Sequence, residues 1–257
     1  MNRIALVLIL CAAASAAFAE HIPVAPPLGL DLQARTQVVA DIDDLNLLAE
    51  VLGRFEGADH AFGYRSATLG AYYRVLPNLK LGGFYRLQAG ARHDDDWVRS
   101  EEDPLAWVWA DTADRWESIV MLDASPRFLL DFLPGENWVF MLKTRVIYNT
   151  FNSDVSILAR PELTYFLMVD RVPVLNATLS YQLYFPLNFG STIVYQHYPY
   201  LSLLWHATPE VGIELSGAYR TTAWSASAEE LSVHGDPYTV YASRWIVSLG
   251  AVITLTF

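Results

Sequence analysis

The strict alternation of apolar and polar side chains near the end of the chain limits its possible folds more than any other sequence feature. In the stretch WIVSLGAVITLTF at 245–257, one row of positions is apolar and the row between them is mostly small or polar. The apolar row consists of Trp245, Val247, Leu249, Ala251, Ile253, Leu255 and Phe257. Successive side chains of an extended strand point to opposite faces, so this period of two predicts a β-strand with one apolar face.

The same period recurs along most of the chain and predicts an all-β fold. Short and long connections alternate between the predicted strands, and the two longest are at 93–115 and 225–237. This pattern is typical of an antiparallel up-and-down β-barrel with tight turns at one end and longer loops at the other. We predict about ten strands, with twelve as the second choice. The predicted strands cover 45–56, 64–76, 79–92, 116–133, 138–148, 155–169, 174–185, 193–207, 210–224 and 238–257.

Two segments near the start of this region can be interpreted in two ways. Segment 45–56 fits a strand, but its leucines also fit a helix that begins at Asp43 or Asp44. We choose the strand because the remaining strands then form an even count. Segment 33–42 alternates only weakly, so a strand and a non-barrel segment are equally supported. With an even count, the last strand must pair with 45–56 to close the sheet.

The closing strand, which is apolar on one face and ends in Phe257, resembles the last strand of bacterial outer-membrane β-barrels. The resemblance is to the architecture and not to one family within it. It implies a transmembrane barrel over 45–257 surrounded by outer-membrane lipids, with the N- and C-termini in the periplasm. It also implies that Phe257 is part of the signal read by the barrel-assembly machinery. A soluble barrel or sandwich would alternate too, but it would bury its apolar face and would have no reason to collect aromatic residues at strand ends.

The first residues predict a secretory signal peptide at 1–19. Arg3 provides a positive start, 4–14 is apolar, and Ala17-Phe18-Ala19 fits cleavage after Ala19. The single cysteine, Cys11, lies inside this signal, so disulfides and thiol chemistry are excluded from the mature chain. Residues 20–44 begin with Pro and Gly and end acidic, and we predict a periplasmic N-terminal segment there.

Composition narrows the function classes further. After the signal, no stretch reaches the roughly 18 continuous apolar residues that a membrane-spanning helix needs. A mature chain that is integral to a membrane must therefore be a closed barrel. The chain has 28 acidic and 17 basic side chains, and this acidic excess argues against nucleic acid as a partner. The aromatic content of 13% suits a protein with aromatic girdles at two membrane interfaces.

The polar rows of the predicted strands are rich in charge, and in a barrel they would line the lumen. The residues predicted to line a lumen or pore are Arg54, Arg74, Lys80, Arg86, Asp123, Arg127, Lys143, Arg145, Arg160, Glu162, Glu214, Arg220 and Arg244. One interpretation is an arginine-rich pore. The other is a network of ion pairs that fills the barrel, because barrels of about eight strands are filled by side chains.

The long loops contain residue types that hydrolases use. His93 with the acidic run 94–96, and His234-Gly235-Asp236, could meet at the barrel rim as in omptin-type outer-membrane proteases. Their order and flanking residues do not match the omptin Asp-x-His pattern. Ser202 and His206 are separated by about 13 Å along one strand, which excludes a dyad within that strand.

The other candidate chemistry is weaker. His60, His93, His197 and His206 lack metal-ligand spacing, so no metal site is predicted. We therefore predict a non-enzymatic barrel without cofactors, a monomer that forms a narrow passive pore for small solutes. The alternatives are a closed-lumen structural or adhesive surface protein that acts through its loops and, third, an omptin-like rim protease that would depend on Asp95 or His234.

Overall fold

The structure is a computed structural model that describes residues 28–56, 61–102, 107–134, 137–235 and 237–257. The predicted signal peptide and its cleavage site at Ala19 lie outside the described residues. Strands dominate the described part, as the sequence predicts. The strands are β1 (Gly29–Ile42), β2 (Leu45–Glu56), β3 (Ala61–Leu76), β4 (Leu79–Ala89), β5 (Trp97–Arg99), β6 (Trp107–Trp109), β7 (Trp116–Leu129), β8 (Trp138–Asn149), β9 (Val155–Val169), β10 (Val172–Pro186), β11 (Gln196–His206), β12 (Val211–Ser225) and β13 (Thr239–Thr256), and the α-helix is α1 (Ala228–His234).

All of these strands except β5 and β6 form one closed barrel of eleven strands. Consecutive barrel strands pair antiparallel, whereas β1 and β13 pair in parallel, from Gly29 opposite Arg244 to Asp41 opposite Thr256. In an up-and-down barrel with an odd number of strands, the first and last strands run in the same direction. The parallel closure therefore follows from the strand count.

The prediction of an all-β closed barrel is confirmed, and the predicted count of about ten is close to the observed eleven. The additional strand is β1, which occupies much of the segment 20–44 that the sequence assigned to a periplasmic tether. The barrel consequently begins at Gly29, and β13 pairs with β1 and β12 and not with β2. The alternation of β1 is weak because its outward positions include Ala34 and Thr36 besides leucines.

The connections divide the barrel into two unlike rims. At the short-turn rim, β1–β2, β3–β4 and β9–β10 are joined by two residues each. Asp170 and Arg171 of the β9–β10 turn both have positive φ, 50° and 66°, as a type I′ hairpin turn requires. At the loop rim lie the described parts of the two long connections, 90–102 with 107–115, and 226–235 with 237–238. Leu28 lies at the loop rim and Phe257 at the short-turn rim, so the two ends of the described barrel are on opposite sides.

The faces of the strands follow the predicted alternation. In β13, Tyr241, Trp245 and Leu249 are exposed on the outside, whereas Ile246 and Ser248 are buried on the inside. Leucines on six different strands are more than half exposed on the outer face. They are Leu69, Leu122, Leu179, Leu201, Leu215 and Leu249. The barrel therefore shows an apolar outer surface around a largely polar interior.

The long loops contain structure that alternation could not indicate. The loop after β4 forms a short 3₁₀ helix at Asp94–Asp96 and the two-stranded sheet of β5 and β6. The loop after β12 forms α1, which is capped by Ser227 at its start and by Gly235 at its end. Among the described residues, no helix has the length and hydropathy to cross a membrane.

Candidate functional site

The interior of the barrel contains a cavity of about 1090 Å³ that is lined by inward-facing side chains. Period two directs these side chains to one face of each strand, and closure of the barrel brings them together. Most of the charged residues that the sequence predicts for a lumen line this cavity. They are Arg54, Arg86, Lys143, Arg145, Arg160, Glu162, Glu214, Arg220 and Arg244.

The other four predicted residues lie elsewhere. Asp123 is buried in the wall beneath Arg145, which contacts it at 2.7 Å. Arg74, Lys80 and Arg127 lie at the short-turn rim, where Arg74 faces Asp44 at 3.5 Å and Lys80 donates to Asn46. Arg127 is exposed, and its backbone N–H donates to the carbonyl of Asn78 in the β3–β4 turn. These three do not line the cavity.

Sequence reasoning missed the charged residues of β1 and the importance of the tyrosines. Asp31 and Arg35 are not among the predicted lumen residues, because 20–44 is predicted to be a periplasmic segment and a strand at 33–42 is left open. Their alternation with Leu30 and Leu32 is a usable signal. The tyrosines that line the cavity occupy the inward rows of their strands. They are Tyr64, Tyr72, Tyr184, Tyr198 and Tyr200, together with Tyr195 and Tyr238 from the loops before β11 and β13.

A completely buried carboxylate joins two arginines where the barrel closes. Asp31 has no exposed surface. Arg244 donates to its Oδ1 from Nε at 2.7 Å, and Arg220 donates to its Oδ2 from Nη2 at 3.3 Å. Arg220 and Arg244 are directly opposite each other on β12 and β13. Since neighbouring like charges repel, Asp31 from the third strand bridges the two guanidiniums and offsets their repulsion.

A second ion cluster connects β1 to both of its sides across the interior. Arg35 contacts Glu214 of β12 and lies 3.7 Å from Glu50 of β2. Tyr200 donates to the other oxygen of Glu214 at 2.6 Å. The cluster contains two carboxylates but one guanidinium and one neutral hydroxyl, so the positive charge of Arg35 is fully balanced.

A third group of charges lies on the wall formed by β7, β8 and β9. Asp123 accepts from Arg145 and, at 2.9 Å, from Tyr72, while Glu162 contacts Arg160. Lys143 is directly opposite Arg160 in the β8–β9 register. Among the residues that the structure describes, no carboxylate lies within 4.0 Å of the Lys143 ammonium. Its closest described aromatic contact is the Tyr72 ring, 5.5 Å from Nζ to the centroid.

At the loop rim, a polar network holds the long loop after β4 against the barrel wall. His93 Nε2 lies 2.8 Å from Glu117 Oε1, and its Nδ1 lies 3.2 Å from the amide of Asn152. Arg115 donates to both oxygens of Asp96, at 2.5 and 2.8 Å, and to Glu117 at 3.0 Å. These hydrogen bonds raise the pKa of Arg115, so its guanidinium is a permanent anchor of the loop.

Aromatic rings and helix α1 complete a cap over the loop rim. Trp109 stacks on Trp97 with centroids 4.0 Å apart and packs edge-on against Trp224 of the wall at 4.8 Å. Ser227, which precedes α1, donates to the carbonyl of Trp97 at 3.1 Å. We call this assembly of 93–97, 109 and 227–231 the cap. It joins the two long loops over one end of the cavity.

The residues considered for a rim protease at 93–96 are part of this cap. Asp94 accepts from the backbone N–H of Ser225 at 3.1 Å, and Asp95 accepts from that of Ala228 at 3.4 Å. Burial, together with the nearby carboxylates of Asp95 and Asp154, raises the pKa of Asp94 to about 6, against the hydrogen bond from Ser225. The side chain of His234 and all of Asp236 lie outside the described part of the chain. The structure thus assigns Asp94 and Asp95 structural contacts at the rim.

Within the described ranges, no group of three or more His, Cys, Asp or Glu side chains is arranged to hold a metal ion. Comparison with known proteins does not add a function. No profile of a known protein family matches the chain, and no curated protein matches it. The site is therefore interpreted from its own geometry.

Proposed function

We propose that this protein is an integral β-barrel of the bacterial outer membrane and acts as a narrow passive pore for small solutes. The observation that carries the proposal is the reversed distribution of polarity, with leucines exposed outside and charges inside. Soluble proteins rarely expose apolar patches larger than a few hundred Å². A lipid environment removes that conflict, because the closed barrel leaves no unpaired sheet edge in the hydrocarbon.

The aromatic residues of the outer face support the same proposal. They concentrate toward the two ends of the strands, where Trp and Tyr of membrane barrels meet the lipid headgroups. Toward the loop rim these are Tyr85, Trp116, Tyr148, Tyr219 and Trp245, and toward the short-turn rim Tyr73, Phe128, Trp138, Tyr165 and Trp205. The strands between them contain at least the 9–11 residues that a tilted transmembrane strand needs.

The size of the interior supports a narrow pore. Eleven strands lie between the filled barrels of about eight strands and the open channels of 16–18. The 1090 Å³ cavity has room for roughly thirty to forty water molecules at about 30 Å³ each. The charged lining would keep such a cavity hydrated, so small polar solutes are the class that fits it.

The cap supports a second candidate, a closed-lumen structural or adhesive surface protein. Trp97, Trp109 and α1 lie over the loop rim, and a cap that never opens would prevent conduction. The protease alternative has no such support, and we keep the prediction that the protein is not an enzyme and needs no cofactor. We also propose a monomer, assembled by the barrel-assembly machinery. We also propose that the C-terminus is periplasmic. The residues before Leu28 lie outside the described part of the chain, and the periplasmic location of the N-terminus stays a prediction.

Two measurements test these proposals separately. Refolded protein that migrates differently on a gel before and after heating would support the membrane barrel, and aggregation in every detergent tried would contradict it. Single-channel recordings in planar bilayers then test the pore, for which we expect small discrete openings. Folded, heat-modifiable protein without openings would favour the closed-lumen alternative. A variant with 97–109 replaced by a short Gly/Ser linker should then conduct if the cap alone closes the lumen.

A further inference from the structure

The strongest unexplained feature of the interior is a pair of like charges in direct register. Lys143 on β8 and Arg160 on β9 are opposite each other, and both line the cavity. Residues directly opposite in an antiparallel pair have Cβ atoms about 5 Å apart, and like charges there destabilise the sheet. An arrangement of this kind requires a negative partner.

The protein provides only part of the required negative charge. The two carboxylates on this wall, Asp123 and Glu162, are engaged by Arg145 and Arg160. Asp123 is further occupied by Tyr72 and Ser125, which donate to it at 2.9 and 2.8 Å. Among the described residues, no carboxylate remains within 4.0 Å of Lys143. Its ammonium has three donors and faces the cavity with no hydrogen bond to a described acceptor.

The cations of the wall where the barrel closes show that this is not a general property of the lumen. Arg220 and Arg244 are also directly opposite each other, but Asp31 joins them. Arg35 contacts both Glu214 and Glu50. Arg86 is a comparable position, because its side chain donates to the hydroxyl of Thr68 and has no described carboxylate within 4.0 Å. It is nearer the loop rim than Lys143 and lies on the route from the cap into the cavity.

We propose that Lys143 and Arg160 form a binding site for a small oxyanion, a carboxylate or a phosphate group, and that the solutes of the pore are anions. The guanidinium fork and the ammonium are the groups that bind such oxygens with charge-assisted hydrogen bonds. The cavity leaves room for a small organic anion beside them. Arg86, which is nearer the loop rim, is a further cation along the path of an anion to this site. The solute class rests on the proposed pore, whereas the binding site does not depend on conduction.

The test measures binding without a membrane current. The mature chain is refolded in detergent, and its melting temperature is followed with increasing succinate or inorganic phosphate at constant ionic strength. Both probes should raise it if the shared oxyanion chemistry is what the site recognises, because a ligand that binds only the folded state stabilises it. A rise with phosphate alone or succinate alone supports the site and identifies which source of the oxyanion it prefers.

The variants locate the effect. Lys143→Gln should weaken the apparent affinity at least tenfold, Lys143→Arg should retain it within about threefold, and Arg74→Gln, which removes a charge at the short-turn rim, should leave it unchanged. Equal affinity in the wild type and Lys143→Gln, or no rise in the wild type with either probe, would overturn the proposal. If Lys143→Gln fails to become heat-modifiable, Lys143→Met and the wild-type titration still decide.

Bilayer recordings separate this proposal from the proposed function. A conducting wild type should prefer anions in a potassium chloride gradient, and Lys143→Gln should reduce that preference at least twofold. Conduction with cation preference would overturn the solute class while leaving the pore intact. Anion binding in a barrel that does not conduct would support the site and would count against the pore.

Discussion

Among the residues that line the cavity, two pairs of like charges face each other across neighbouring strands, and they have different counterions. Arg220 and Arg244 share the buried carboxylate of Asp31, which comes from the strand that closes the barrel. Lys143 and Arg160 have Glu162 on one side only, and Lys143 remains facing the cavity. In the first pair both cations contact a carboxylate of the protein. In the second pair the Lys143 ammonium has no carboxylate partner and can bind an anion from solution. The difference teaches that register alone does not decide whether a charged lumen is filled or open.

The largest expected effect on stability comes from removing the carboxylate that Arg220 and Arg244 share. Asp31→Asn keeps the shape of the side chain but leaves two guanidiniums without their carboxylate. Removing one partner of a buried ion pair costs about 3–5 kcal/mol, so we expect a large loss in the free energy of unfolding or a failure to refold. Urea denaturation in detergent followed by tryptophan fluorescence measures it. A loss below about 1 kcal/mol would show that the pair does not depend on Asp31.

At the Lys143–Arg160 pair, we expect a substitution to raise the free energy of unfolding. Lys143→Met removes the unpaired charge and keeps an unbranched chain of similar length, so without added oxyanion the barrel should be stabilised by about 1–2 kcal/mol. The same urea titration applies, with Lys143→Arg as the control that keeps the conflict. If Lys143→Met destabilised the barrel as much as Asp31→Asn does, Lys143 would be as well paired within the protein as Arg220 and Arg244 are.

Protonation is a third way to neutralise a buried charge, and in the cap it takes place at Asp94 as the pH falls below about 6. Burial raises the folded-state pKa of Asp94 to about 6. The stabilisation that protonated Asp94 gives to the folded cap is therefore fully present below the ordinary pKa of 3.8 and is lost as the pH rises through about 6. Asp95 and Asp154 face this carboxyl, and His93 is also near. We expect the cap to be held roughly 1 kcal/mol more tightly at pH 4 than at pH 7. Limited proteolysis of 93–115 across this range measures it.

Asp94→Asn serves as the control for the cap, because an amide cannot titrate. Its protease sensitivity should change less between pH 4 and pH 7 than that of the wild type. An identical pH profile in both proteins would remove Asp94 as the cause.

The smallest effect is expected for the exposed pair at the short-turn rim. The side chains of Arg74 and Asp44 are 46% and 54% exposed and 3.5 Å apart. Solvent-exposed ion pairs contribute about 0–1 kcal/mol, so Asp44→Asn should change the free energy of unfolding by less than about 0.5 kcal/mol. It is also the matched control for Asp31→Asn, since both exchange an aspartate for asparagine beside an arginine. A loss as large as that of Asp31→Asn would contradict the role of burial.

Sequence reasoning predicted most of the fold because the signal it used is local. Lys143, Arg145 and Arg160 were assigned to the inner face from alternation, and the structure directs all three into the cavity. Arg74, Lys80 and Arg127 satisfy the same alternation but lie beyond the cavity, because period two gives the direction of a side chain and not its height along the barrel. Asp31 and Arg35 were missed because the small Ala34 and Thr36 weaken the alternation of β1.

By itself, the sequence determined the class of fold and the two faces of each strand, because side-chain direction along a strand depends only on the position in the chain. Only the tertiary structure decided the eleventh strand, the parallel pairing of β1 with β13 and the counterion of each cation. Asp31 and Arg244 are separated by 213 positions, and which distant strands become neighbours is set by closure of the whole sheet. The charge on Lys143 is open for the same reason, since no strand beside it brings a carboxylate that is not already engaged.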